Sequence, residues 1–173
     1  MRFVITLFSL TVLQAQHGVI REYAALAPKP DASILAPLTD LSLTDISITV
    51  GHDDAWYMTG SSANANGAVF SKSVGLWRSA DRKQWAKVRE ITSGDAVQSL
   101  EIHYLRNRYW LTLGVEGGGT ALMAFDSTDL RTATYTRATI TDKGADPSLF
   151  LDDDGSFFWV MGAGKTLSAI SLA

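Results

Sequence analysis

The chain contains no cysteine, and this absence removes several kinds of chemistry at once. None of its 173 residues can form a disulfide, act as a thiolate nucleophile or complete a cysteine-based zinc site. Histidine is also scarce, because His17, His52 and His103 are the only three and they lack the spacing of metal ligands. We therefore expect neither a bound metal nor any other cofactor.

Charge of either sign is modest as well. Charged residues make up 19% of the chain, hydrophobic residues make up 46%, and the formal net charge is −3. This balance is typical of a folded globular protein and gives no reason to expect nucleic acid as a partner. The glycine run Gly117-Gly118-Gly119 lacks the lysine and hydroxyl residue of a phosphate-binding loop, which argues against a bound nucleotide.

Only one long apolar run is present, and it lies at the N-terminus. Met1-Arg2 forms a short positive segment, and residues 3–13 are apolar apart from three hydroxyl side chains. That run is too short to span a membrane and has the length of a secretory signal. We expect residues 1–16 to be a signal peptide and residues 17–39 a lead-in segment. The protein should then be secreted or periplasmic, without a membrane span.

The rest of the chain contains an internal repeat. Residues 45–59 align without a gap on residues 146–160. Each copy begins with an aspartate, continues as an apolar strand, turns at an acidic tip and returns as an aromatic strand. A weaker copy lies between them, in which Glu101 takes the position of the aspartate and Tyr109-Trp110 begin the return strand. Hairpins that recur about every 50 residues are typical of blade-type β architecture.

The spacing of the other strands predicts the extent of each blade. Short antiparallel strands complete units over about residues 40–92, 95–141 and 145–173, which together form a partial propeller over residues 40–173. The fold class is therefore all-β, as an incomplete propeller with two blades and part of a third. Because propellers typically have about 4 to 8 blades, the remaining blades are expected in a longer chain.

Four segments stand in a characteristic order within these units. They are Asp45-Ile46-Ser47-Ile48 with Trp56-Tyr57, Leu76-Trp77-Arg78-Ser79 with Asp81 and Trp85, Leu100-Glu101-Ile102-His103-Tyr104 with Tyr109-Trp110, and Asp146-Pro147-Ser148-Leu149-Phe150 with Asp152-Asp153-Asp154-Gly155. In this order and spacing they resemble glycoside hydrolase family 43, whose members are five-bladed propellers. The resemblance covers roughly residues 40–172.

The resemblance implies inverting hydrolysis of a glycosidic bond, in which one carboxylate activates water and a carboxylic acid protonates the leaving oxygen. In the family, a first-blade aspartate is the general base, a third-blade aspartate tunes the pKa of the acid, and a fourth-blade glutamate is the acid. Asp45 matches the base, although Ile46 stands where the family usually has proline, and Asp146 matches the pKa modulator. Glu101 is expected to bind substrate. Because the acid has no counterpart here, the chain alone is expected to be inactive.

The implied substrates are arabinosyl or xylosyl linkages in polysaccharides or oligosaccharides, which makes carbohydrate the expected ligand. Two alternatives remain open. The Ser79-x-Asp81 turn followed by Trp85 is also similar to the Asp-box of sialidase-type propellers. A non-catalytic carbohydrate-binding or interaction module would keep the aromatic hairpins and need no acid. In each case the hairpin aromatic residues are expected to pack between blades.

Overall fold

The computed structural model describes residues 43–62, 71–163 and 166–172, all within the compact unit Pro37–Ala173. Within these residues the chain is all β, which confirms the expected fold class. The ten strands are β1 (Leu43–Val50), β2 (Trp56–Ser62), β3 (Ser71–Ser79), β4 (Ala86–Leu105), β5 (Arg108–Val115), β6 (Thr120–Phe125), β7 (Tyr135–Thr141), β8 (Ala145–Leu151), β9 (Phe157–Ala163) and β10 (Thr166–Leu172). The predicted signal peptide and lead-in segment lie outside the described residues.

The strands form two antiparallel meanders. Strands β1 to β7 make one seven-stranded sheet in sequence order, and β8 to β10 make a three-stranded sheet with β9 in the middle. The first blade consists of β1 to β3 and the beginning of β4, the second runs from the end of β4 to β7, and the third is the three-stranded sheet. Within the described residues the sheets do not close into a ring, so the fold is part of a propeller.

Strand β4 belongs to two blades, because its 20 residues run without a break. Its first part pairs with β3, and from Val97 onward it pairs with β5. The blade boundary expected between residues 92 and 95 falls within this strand. There the Ser93 hydroxyl donates hydrogen bonds to the backbone oxygens of Lys72 (3.1 Å) and Asp95 (2.5 Å), and Gly94 takes a φ of 88°. This local bend passes the chain to the next blade without ending the strand.

Alternation along the strands of the second blade divides its side chains between two neighbours. On β5, Tyr109 and Leu111 pack in a large apolar cluster with the first blade, whereas Trp110 packs in a smaller cluster with the third. The ring centroids of Tyr57 and Tyr109 are 4.9 Å apart, and those of Trp110 and Phe157 are 5.7 Å apart. The expectation that the hairpin aromatic residues pack between blades is confirmed for Tyr57, Tyr109, Trp110 and Phe157.

The hairpin turns differ between blades. Residues 51–55 and 152–156 form matching five-residue turns, each closed by the same pair of backbone hydrogen bonds. The middle hairpin turns instead at Arg106 and Asn107, whose φ values are 50° and 57°. Positive φ at both central residues is the requirement of a tight type I′ turn. The middle hairpin therefore has a shorter turn than its two neighbours.

The Ser-x-Asp segment between β3 and β4 is a hydrogen-bonded turn. The backbone N–H of Arg82 donates to Ser79 Oγ at 2.8 Å, and Asp81 Oδ1 accepts the N–H groups of Lys83 at 2.8 Å and Gln84 at 2.9 Å. These backbone bonds lower the pKa of Asp81, because they stabilise its charged form. The geometry gives this segment a turn-stabilising role.

Candidate active site

Each innermost strand carries a β-bulge. In β1, β4 and β8 the pairing register with the following strand shifts at one point. At each shift one residue has a left-handed backbone, with φ values of 51° at Asp45, 50° at Ser99 and 48° at Asp146. The structurally equivalent positions of the three blades are therefore Asp45, Ser99 and Asp146.

The expectation that Glu101 occupies the position of the two aspartates is wrong. Glu101 comes two residues after the bulge residue Ser99, and its counterparts are Ser47 and Ser148. The physical reason lies in the hairpin, because the tight turn after β4 is shorter than the five-residue turns of the other blades. The middle blade thus presents a hydroxyl where the other two present carboxylates.

The backbone conformation at these bulges disfavours ordinary side chains. Glycine is the default residue for positive φ, and any other residue pays a steric penalty there. The other non-glycine residues of the described chain with positive φ lie in turns: Asp54, Arg82, Arg106 and Asn107. Among the described non-glycine residues within strands, positive φ is found at the three bulge residues Asp45, Ser99 and Asp146. Strain of this kind clusters at functional sites, where the side chain itself is needed.

The bulges meet at a cleft of about 330 Å³. It is lined by Asp45, Ile46, Ser47, Ser99, Glu101, Asp146 and Pro147. The structure thus brings the three carboxylates singled out in the sequence, Asp45, Glu101 and Asp146, to one place. Asp45 and Asp146 are exposed, whereas Glu101 is half-buried. Asp45 and Asp146, which lie two blades apart in the sequence, therefore line the same solvent-exposed cleft.

Glu101 is held by two neighbours. Its Oε2 lies 3.1 Å from His103 Nε2, and the Ser148 hydroxyl of the third blade also stabilises its charged form. Burial raises the pKa of Glu101, but the hydrogen bonds from His103 and Ser148 outweigh burial, and the pKa falls below its usual range. Glu101 is consequently an ionised hydrogen-bond acceptor at neutral pH.

Further polar residues connect the bulges across blades. Ser47 Oγ of the first blade accepts the backbone N–H of Ile102 at 3.1 Å. Thr112 of the second blade donates its hydroxyl to the backbone oxygen of Pro147 at 2.8 Å. These contacts fix the positions of the inner strands relative to one another.

Sequence reasoning missed these residues to different degrees. Ser47 and Ser148 stand at matching positions of the 45–59 and 146–160 repeat, so the alignment could have indicated a shared role. Ser99 and Thr112 left no comparable signal, because their importance depends on contacts between blades.

The described residues limit what else the site can hold. Among them, no group of three or more histidine, aspartate or glutamate side chains is arranged to bind a metal ion. The polar side chains that line the cleft are carboxylates and hydroxyls.

The part of the chain that the structure describes contains no helical segment with the length and hydrophobicity of a membrane span.

Comparison with known proteins gives a uniform result at the level of fold. No protein-family model matches the chain, and no curated protein matches its sequence. An endo-arabinase from Bacteroides thetaiotaomicron superimposes with a TM-score of 0.59 at 18% identity. The match covers 79% of this chain and 53% of the endo-arabinase. A bifunctional family 43 protein of Bacteroides eggerthii has a TM-score of 0.60 at 19% identity, covering 78% of this chain and 20% of its own.

A third structure is a family 43 β-xylosidase/α-arabinofuranosidase from a compost microbial metagenome, solved in complex with xylotriose. It has a TM-score of 0.59 at 15% identity, covering 73% of this chain and 44% of its own. The chain thus spans roughly half or less of the length of each of these three structures. Its described residues form part of a β-propeller, and the fold of that part is like the fold of glycoside hydrolase family 43.

Proposed function

We propose that the cleft between the bulges is part of the active site of an inverting glycoside hydrolase similar to family 43. The observation that carries this proposal is that Asp45 and Asp146 occupy equivalent strained bulges and line the same cleft. A left-handed backbone inside a strand is less favourable for aspartate than for glycine, and such strain is typical of functional positions. Paired carboxylates at one cleft are the machinery that inverting glycosidases use.

In the proposed mechanism Asp45 is the general base. Its carboxylate takes a proton from a water molecule, whose oxygen attacks the anomeric carbon on the face opposite the leaving group. Asp146 is the pKa modulator of the general acid. Its negative charge disfavours a second charge nearby and so keeps the acid protonated until it donates to the leaving oxygen.

Glu101 is proposed to bind substrate. Its lowered pKa leaves it without a proton to donate at neutral pH, so it suits hydrogen bonds from sugar hydroxyls better than acid catalysis. We therefore expect the general acid to come from further blades in a longer chain. Without it the 173-residue chain is expected to be inactive, since general acid–base catalysis contributes roughly 10²–10⁴-fold.

The proposed substrates are arabinosyl and xylosyl linkages in polysaccharides or oligosaccharides. The similar compost enzyme is titled a β-xylosidase/α-arabinofuranosidase and was solved with xylotriose, and the endo-arabinase supports the same class. Among the described residues, those that line the cleft include three carboxylates and no cationic side chain, and this negative charge favours neutral sugars over uronic acids.

Export by the proposed signal peptide, residues 1–16, would bring the protein to such polysaccharides outside the cytoplasm. Mass spectrometry of the mature protein tests this step. An N-terminus at or near residue 17 is expected, and recovery of an intact Met1 from the exported fraction would contradict it.

Hydrolysis of nitrophenyl arabinofuranoside and nitrophenyl xyloside tests the catalytic proposal. The 173-residue chain should be compared with a longer version that carries two further blades, and activity is expected only in the longer version. There Asp45→Asn should lower kcat by about 10²–10⁴-fold. Asp54→Asn is the matched control, because Asp54 is also exposed and left-handed, with a φ of 57°, but lies in a hairpin turn.

Two results would change the proposal. A folded longer version that hydrolyses neither substrate would exclude an exo-acting enzyme on terminal arabinosyl or xylosyl residues, and hydrolysis of the corresponding polysaccharides would then test an endo-acting one. Glycan binding without hydrolysis, retained in Asp45→Asn, would favour the alternative of a non-catalytic carbohydrate-binding or interaction module.

A further inference from the structure

Ser99 stands at the bulge of the middle blade, between the two proposed catalytic aspartates. It has the same left-handed backbone as they have, with a φ of 50°, and its side chain is half-buried. Glycine would adopt this backbone without a steric penalty. The chain therefore keeps a hydroxyl here at a cost in stability, which indicates that the hydroxyl has a role of its own.

The hydroxyl of Ser99 contacts one of the two aspartates directly. Its Oγ donates a hydrogen bond to Asp146 Oδ1 at 2.6 Å, across 47 residues of sequence and from the second blade to the third. Bonds of this length between a hydroxyl and a carboxylate are charge-assisted and stronger than neutral hydrogen bonds. Both residues line the cleft.

The bond constrains a side chain that has few other constraints. Asp146 is exposed, and an exposed aspartate otherwise exchanges between rotamers on the nanosecond scale. The following residue is already fixed, because the Pro147 backbone oxygen accepts the hydroxyl of Thr112. The second blade thus holds both the backbone beside Asp146 and its carboxylate.

We propose that Ser99 is a positioning residue, which fixes the rotamer of Asp146 and thereby the position of its carboxylate in the cleft. This inference rests on the proposed role of Asp146. The proposed role of Ser99 is exerted through Asp146. Ser99 acts by keeping one carboxylate in the geometry that catalysis needs, and a misplacement of about 1 Å can cost roughly 10²-fold in rate.

Two substitutions separate the hydroxyl from the backbone strain. Ser99→Ala removes the hydroxyl and keeps the strained backbone, whereas Ser99→Gly removes both. Ser127→Ala is the control, because the Ser127 hydroxyl also takes part in a local hydrogen bond, accepting the N–H of Asp129 at 3.1 Å in an exposed turn. Ser99→Gly should unfold at a higher urea concentration than Ser99→Ala.

The first readout is structural and needs no activity. Three-bond couplings from backbone nitrogen and carbonyl carbon to the Asp146 side-chain carboxyl carbon, measured by NMR on the full chain, report its χ1 rotamer. We expect a single rotamer in the wild type and in Ser127→Ala, and averaged couplings in both Ser99 variants. A single unchanged rotamer in Ser99→Ala would overturn the proposal.

The second readout is kinetic, in the longer version with further blades. Both Ser99 variants should lose about tenfold in kcat with little change in KM, as for a lost hydrogen bond to a charged group. Wild-type kcat in the more stable Ser99→Gly would overturn the positioning role. If the wild type hydrolyses neither these substrates nor the corresponding polysaccharides, the proposed function fails, whereas the NMR couplings still decide whether Ser99 fixes Asp146.

Discussion

The first and third blades have nearly the same hairpin, but the apolar clusters that attach them to the second blade differ in size. Among the described residues, sixteen buried side chains form the cluster between the first and second blades, and four form the cluster between the second and third. Hydrogen bonds cross both interfaces. At the first, Ser47 Oγ accepts the backbone N–H of Ile102 at 3.1 Å. At the second, Trp159 Nε1 donates to Thr120 Oγ1 at 3.1 Å, Thr112 Oγ1 to the Pro147 backbone oxygen at 2.8 Å, and Ser99 Oγ to Asp146 Oδ1 at 2.6 Å.

The difference in cluster size affects how each blade is held. Apolar burial is roughly proportional to area and has no preferred direction, so the larger cluster supplies more cohesion to the first interface. Hydrogen bonds depend on distance and angle, so the third blade, with the smaller cluster, depends on them more for its orientation. Asp146, whose carboxylate accepts one of these bonds, is the better constrained of the two aspartates among the described residues.

Catalysis provides the largest contrast between the two aspartates. In an active longer version, Asp45→Asn removes the base, so kcat should fall by about 10²–10⁴-fold and the rise of kcat with pH should disappear. Asp146→Asn should cost less and should move the alkaline fall of kcat to lower pH, because the acid loses the negative charge that keeps it protonated. The pH dependence of kcat measures both effects. Identical profiles for the two variants would refute the division of roles.

Equivalent positions in the first and third hairpin turns should respond very differently to alanine. A Cβ on Gly51 would lie 2.0 Å from the Tyr109 hydroxyl and 2.4 Å from a ring carbon of Tyr57, both in the buried cluster. Gly51→Ala should therefore cost roughly 3 kcal/mol in the free energy of unfolding. Asp152→Ala, at the matching exposed position, should change it by only about 0.5 kcal/mol. Urea unfolding followed by circular dichroism checks the pair, and equal losses would contradict the packing difference.

Loss of a single buried hydrogen bond should loosen the third blade. Trp159 is fully buried, and Trp159→Phe keeps most of its apolar surface while leaving Thr120 Oγ1 without its donor. The free energy of unfolding should fall by about 2 kcal/mol. The first-blade counterpart is Met58, also fully buried, and Met58→Leu should cost less than about 1.5 kcal/mol, because that site depends on shape alone. A larger loss in Met58→Leu would reverse the comparison.

The pH dependence of stability gives the smallest effect, at Glu101 of the middle blade. Because the pKa of Glu101 is lowered on folding, its contribution is present above its ordinary pKa of 4.5 and is lost as the pH falls through the lowered value. The side chain is 39% exposed, so the contribution is screened and small. Wild type should therefore exceed Glu101→Gln in unfolding free energy at about pH 7, and the gap should narrow toward about pH 3. If the difference in unfolding free energy between wild type and Glu101→Gln became larger at acid pH, the prediction would be contradicted.

Much of the fold could be read from the sequence. The alternation of apolar residues along each strand and the acidic turns between them predict the hairpins, and the 45–59 and 146–160 repeat predicts the blades. These are local features, because a strand's two faces and a turn's chemistry are set by residues close in sequence. Strand β4 could not be predicted in this way. The local sequence pattern does not distinguish one bent strand of 20 residues from two short strands.

The candidate site was only partly readable for the same reason. Asp45 and Asp146 could be found because they open the two copies of a repeat that aligns without a gap. Glu101 was assigned to their position by residue type, but the tight turn at Arg106 and Asn107 shifts the middle hairpin and leaves Ser99 there. A left-handed backbone at a serine has no sequence signature, so the equivalence of Ser99 depends on observed dihedral angles.

Strand periodicity and turn composition act over a few residues, so the amino-acid sequence is enough to predict an all-β chain of repeated hairpins, with aspartates opening the first and third. Which residues share the cleft, and which blade contacts the Asp146 carboxylate, depends on the tertiary structure. Those relations join residues about one or two blades apart, such as Ser99 and Asp146 at a separation of 47 residues. Contacts of that range form when blades pack face to face, and the pleat then decides which side chain of each strand points toward the neighbour.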